Sequence, residues 1–173
     1  MTASQLTTQQ EAKGRRTEKA LAHPALLILG VGNVLLRDEG VGVRVVEAME
    51  GIRLPDNVEL LDGGTASVDL LDSLVDRDRV IIVDCVRGGG EPGTVYRLSP
   101  KDMAMQAQAI TSLHQVGLLE ALALAEGLGC APREVTIFGI EPREISWGLE
   151  LTPQVAAAVP GVIELVLREL PLN

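Results

Sequence analysis

A chain of 173 residues and 18.4 kDa fits one domain around a single core, which excludes a large barrel enzyme. Its 15 basic and 24 acidic side chains leave a net charge of −9, a balance that repels a phosphate backbone and argues against nucleic-acid binding. Two cysteines and two histidines are too few for a zinc ribbon or a histidine-rich zinc site, so any metal centre must lean on carboxylates.

Residues 1–23 carry Lys13, Arg15, Arg16 and Lys19 against Glu11 and Glu18, with no aromatic residue and little apolar content. Such a composition cannot bury itself, so this stretch is expected to be a tail and residues 24–173 a single α/β domain. Removing the tail's +2 from −9 leaves −11 for the domain. No apolar run approaches the roughly 20 residues that span a bilayer, and no export signal is evident. The expectation is a cytoplasmic protein with free thiols that does not engage a membrane.

Residues 25–31 (ALLILGV) form a continuous apolar run closed by glycine, the pattern of a strand buried on both faces. Residues 40–49 (GVGVRVVEAM) then return Val and Ala at helical spacing. A second strand, 58–61, stops at Asp62-Gly63-Gly64, and Thr65 is placed to cap an amphipathic stretch reaching Val75. Residues 79–83 (RVIIV) make another buried strand ending at Asp84, and a Gly/Pro segment leads to an edge strand at 94–98. After a mixed loop from Ser99, residues 114–128 read as an amphipathic helix, 134–140 as a strand, and Thr152-Pro153 as the start of a final helix. Strands alternating with helices predict a three-layer αβα sandwich, its twisted sheet mostly parallel with one antiparallel edge strand.

Ligands in such sheets bind at the carboxyl ends of the strands, near the point where strand order reverses. The glycines of 30–42 (GVGNVLLRDEGVG) resemble a dinucleotide fingerprint, but Leu35 replaces the required third glycine and Asp38 and Glu39 would repel a pyrophosphate. An acid pair opening a helix can equally serve the helix dipole. Asp84 ends an apolar run and needs a partner or a task, with Asn33, Arg44 and Arg87 as structural alternatives. Asp62 suits an Asx-turn before two glycines, His114 a helix cap or surface site, and Cys85 a small buried hydrophobe. Glu39, Asp84 and His114 nevertheless fall at one end of the same sheet, and two carboxylates with one imidazole make a transition-metal site with open positions.

These blocks resemble the hydrogenase maturation endopeptidases over about residues 25–170: GVGNVLLRDEGVGVRVVEAME, LLDGGTASVDLL, RVIIVDCV with EPGTVYRL, SLHQVGLLEALALA, and VTIFGIEPREISWGLELTPQV. The resemblance implies a metal-dependent hydrolase that recognises the nickel-loaded precursor of a [NiFe] hydrogenase large subunit and removes its C-terminal extension in one cut. It implies that Glu39, Asp84 and His114 are at once the metal ligands and the catalytic groups, with Asp38, Asp62 and Thr65 in supporting or substrate-contact positions. Nickel is then borne by the substrate, although other divalent metals can occupy the same ligands. No HExxH helix supports a zincin mechanism. The competing reading from another class is a metal-sensing chaperone that binds the precursor without cutting it.

Overall fold

The structure, a computed structural model, describes residues 24–65, 68–106 and 113–171, apart from the side chains of residues 68, 106 and 113–115. The 1–23 segment lies outside the described residues. Five strands, β1 (Leu26–Gly30), β2 (Val58–Asp62), β3 (Arg79–Cys85), β4 (Val95–Leu98) and β5 (Glu134–Ile140), form one sheet in the order β2-β1-β3-β5-β4. All neighbours run parallel except β4, the antiparallel edge. The helices are α1 (Val41–Met49), α2 (Leu71–Leu74), α3 (Pro100–Gln106), α4 (Leu113–Gly127) and α5 (Pro153–Arg168).

Alternation along each strand builds the three layers. Leu26, Ile28, Ile81, Val83, Phe138 and Ile140 face one way and pack against Val41, Val45 and Met49 of α1 and Val155, Val162 and Val166 of α5. Leu27, Leu29, Val80, Ile82 and Ile137 face the other way, onto Leu74 of α2, Met103 of α3 and Leu118, Ala121 and Leu122 of α4. Aliphatic side chains thus fill both sides of the sheet, with Phe138 the one aromatic residue in the buried core of the described residues. Strand order reverses across β1, since β2 lies on one side of it and β3 on the other. The crevice beyond the ends of β1 and β3 is therefore the topological binding position.

Three expectations needed adjustment. The loop expected from Ser99 contains α3, started by a reciprocal cap: Asp102 Oδ2 accepts from the Ser99 amide at 2.8 Å and its hydroxyl at 2.6 Å, while Ser99 Oγ accepts from the Asp102 amide at 3.3 Å. The helix expected over 65–75 is a 3-10 turn, Val68–Leu70, followed by the single helical turn of α2; Ala66 and Ser67, where a Thr65 cap would act, lie outside the described residues. Strand β3 runs on to Cys85, so Asp84 sits inside it, opposite Gly139 of β5.

Candidate active site

The chain leaves β1 at Gly30 and folds back on itself before α1 begins. The Val31 amide donates to the Val83 carbonyl at 2.9 Å, and the Gly32 amide to the Gly64 carbonyl at 2.7 Å, joining the ends of three strands. Two glycines permit the close packing. A Cβ on Gly32, whose φ is +142°, would lie 1.9 Å from the Glu39 carbonyl oxygen, and one on Gly42 would lie 2.1 Å from that of Val83. The glycine pattern that resembled a nucleotide fingerprint thus seats the Glu39 turn and the start of α1 against β1 and β3.

Glu39 lies in a 3-10 turn, Arg37–Gly40, that packs on β3, and its side chain is partly exposed. Asp84 is fully buried, and its Oδ1 accepts the Cys85 amide at 2.7 Å. Burial pushes the Cys85 thiol far up, and the carboxylates of Asp84 and Glu39 push it further in the same direction. Glu39, in the turn that packs on β3, and Asp84, on β3 itself, both lie toward this end of the strand. A raised thiol pKa disfavours the thiolate that a cysteine nucleophile needs. Arg44, a sequence candidate for pairing with Asp84, instead binds Glu47 at 2.8 Å and the Leu149 carbonyl at 3.2 Å.

Asp38 does something different from its neighbour. It is wholly buried, its Oδ2 accepts the amides of Arg143 and Glu144 at 3.0 and 2.9 Å and the Thr152 hydroxyl at 2.9 Å, and its Oδ1 accepts the Thr152 amide at 2.7 Å. The carboxylate ties the Glu39 turn to the segment that leads into α5, which makes Asp38 a positioning residue. Asp62 is exposed and its Oδ1 accepts the Gly64 amide at 2.8 Å, the Asx-turn geometry, although it closes β2 beside Gly30 at the same sheet end. Thr65 is exposed. His114 is the second residue of α4, and its side chain lies outside the described parts. Among the described residues no three His, Cys, Asp or Glu side chains form a metal cluster by themselves.

One acid at this end of the sheet escaped the sequence reading. Glu141 directly follows β5, is 6% exposed, and its Oε2 accepts the Gly88 amide at 2.6 Å and the Tyr96 hydroxyl at 2.8 Å. It ties the glycine-rich loop after β3 to β4 and the end of β5. The signal was the one used for Asp84: an acid at the end of an apolar strand run.

Known proteins supply the remaining context. A family profile for hydrogenase maturation proteases matches residues 43–169. The chain is 41% identical over 147 residues to the hydrogenase 2 maturation protease of Escherichia coli K12, covering 84% of this chain and 90% of that protein. It is 39% identical over 150 residues to the hydrogenase expression/formation protein HupD of Rhizobium leguminosarum bv. viciae, covering 85% and 74% of the two chains. Among solved structures it is similar to the hydrogenase maturating endopeptidase HybD from E. coli, with TM-score 0.78 and 40% identity over 83% of this chain and 90% of that one. The [NiFe] hydrogenase maturation protease HybD from Thermococcus kodakarensis matches with TM-score 0.67 and 28% identity, covering 83% and 97%. An α/β sheet of the same architecture, agreement over nearly all of the described residues, and this level of identity place the chain in the hydrogenase maturation protease family.

Proposed function

We propose that this endopeptidase recognises the nickel-loaded precursor of a [NiFe] hydrogenase large subunit and removes its C-terminal extension by a single cleavage. What supports the reading is the position of Glu39, in the turn that packs on β3, and of buried Asp84, near the end of β3, beside the crevice where strand order reverses. His114, at the start of α4, is the third ligand in this reading. Nickel is part of the substrate: held by the precursor, it meets two carboxylates and an imidazole, a donor set of the kind that first-row metals accept. A metal so placed polarises the adjacent amide carbonyl or activates a water. The metal then reports that the precursor has been loaded.

The two cysteines are not joined in a disulfide, which fits a reducing compartment, and we assign the reaction to the cytoplasm. No helix of the described residues is long and apolar enough to cross a membrane.

Intact-mass measurement tests this function directly. Purified nickel-loaded precursor incubated with the protein is expected to lose the mass of its extension, and nickel-free precursor to keep its full mass. An unchanged mass for the loaded precursor would leave a chaperone that binds without cutting. Cleavage of both forms would remove nickel from the recognition step.

A further inference from the structure

Beside the Glu39 turn lies a surface that the chemistry does not use. Leu36 and Gly148 form a parallel β-bridge, with the Arg37 amide donating to the Gly148 carbonyl at 2.9 Å and the Gly148 amide to the Leu35 carbonyl at 3.0 Å. Leu35 and Trp147 stand one step before the bridge and Leu149 one step beyond it, and these large apolar side chains are 47%, 80% and 58% exposed. Trp147 is the only tryptophan in the chain. A tryptophan this exposed, flanked by two exposed leucines, is the composition of a binding anchor rather than of an ordinary surface.

The lip is held in place. Arg44 donates to the Leu149 carbonyl at 3.2 Å, and Asp38 binds the amides of Arg143, Glu144 and Thr152 on either side of the Trp147 segment. It is also continuous with the candidate site, since the Glu39 amide donates to the Leu36 carbonyl at 3.2 Å. Its charges indicate what it fits. Arg37 pairs with Glu144 at 3.7 Å and Arg44 with Glu47 at 2.8 Å, and the exposed charges of Arg143 and Glu150 on the same segment are opposite in sign, so the charges beside the lip sum to zero. On residues 24–173, which carry −11, this is an apolar, charge-balanced spot, complementary to an uncharged segment.

We propose that the Leu35–Trp147–Leu149 lip docks an uncharged apolar segment of the hydrogenase large-subunit precursor and so delivers the scissile region to Glu39 and Asp84. This rests on the function proposed above. Three side chains make a small anchor, suited to a partner that must leave after one cut.

The test labels this chain with 5-fluorotryptophan, so that its single tryptophan gives one fluorine resonance and the precursor gives none. Adding nickel-loaded precursor is expected to shift or broaden that resonance. Trp147→Ala is expected to raise KM roughly tenfold or more with kcat little changed, and Trp147→Phe to recover part of the loss. The thermal midpoint of both variants should match the parent, because the side chain is mostly in solvent. An unmoved resonance and an unaltered KM, with the precursor still cut, would overturn the docking assignment and leave the peptidase function standing. A resonance that moves with this protein's own concentration, without precursor, would overturn it in favour of self-association. If the resonance responds to a precursor that stays uncut, the lip is upheld and the peptidase reading fails.

Discussion

Asp84→Asn is expected to abolish cleavage of the nickel-loaded precursor while leaving the fold in place. The side chain is fully buried, and its Oδ1 accepts the Cys85 amide at 2.7 Å. Asparagine has the same shape and keeps a carbonyl oxygen for that bond, so the substitution removes the negative charge and exchanges the second acceptor oxygen for an NH2 donor. A neutral amide oxygen is a far weaker partner for a metal, and the cleavage rate should fall by at least about 10²-fold. Glu39→Gln is expected to behave alike, since Glu39 is the other carboxylate of the proposed metal site and lies in the turn that packs on β3. Timed intact-mass measurements give the rate, and a thermal melt within a few degrees of the parent, on the order of 1 kcal/mol, shows that folding is not the cause. Parental rates in both variants would separate the two carboxylates from the chemistry.

Asp38→Ala should have the largest effect on stability. The lost carboxylate accepts from three backbone amides, those of Arg143, Glu144 and Thr152, and from the Thr152 hydroxyl, all at 2.7–3.0 Å. Alanine leaves those donors facing a void, and each unsatisfied buried donor costs about 1–3 kcal/mol. Relaxation and water entry will recover part of the sum, so a loss of about 3–5 kcal/mol is expected, a large share of the roughly 5–15 kcal/mol that holds a domain folded. Asp38→Asn should lie between the two, because its amide nitrogen cannot accept. Urea unfolding of the three proteins measures the series. A loss below about 1 kcal/mol for the alanine variant would show that the network does not bind the Glu39 turn to the 143–152 segment.

Much of this architecture is legible in the sequence because the parallel strands are buried on both faces. Runs such as LLILG and RVIIV are short, aliphatic and bounded by turn residues, too brief for a buried helix, and β5 falls at Glu134–Ile140, its expected limits. The start of α5 is equally visible, with Thr152 at the cap and Pro153 in the first turn. No side-chain cap bond forms at Thr152, whose hydroxyl is oriented to donate to Asp38. Helix α3 was obscured by its length of 7 residues, although Ser99 and Asp102 stood at capping-box spacing before it.

In the site, Glu39 and Asp84 could be singled out locally, as acids next to glycine turns and at the end of an apolar run. The role of Asp38 could not, because its partners lie 105 to 114 residues along the chain. Buried Arg77 is similar: its guanidinium pairs with Glu59 at 2.8 Å and donates to the Pro24 carbonyl at 2.8 Å, partners that no local pattern announces. The exposed lip was hidden for the opposite reason. Leu35, Trp147 and Leu149 read as core residues by type, and only the β-bridge between Leu36 and Gly148 shows that they share a surface.

The central claim, that Glu39, Asp84 and His114 act on one metal, is tested most directly by a crystal of this protein soaked in nickel chloride and examined for anomalous scattering. The account predicts one ion in the crevice beyond β1 and β3, held by the two carboxylates and the His114 imidazole. An ion bound by other side chains, or a His114 imidazole too far from Glu39 and Asp84 for all three to share a metal, would contradict it.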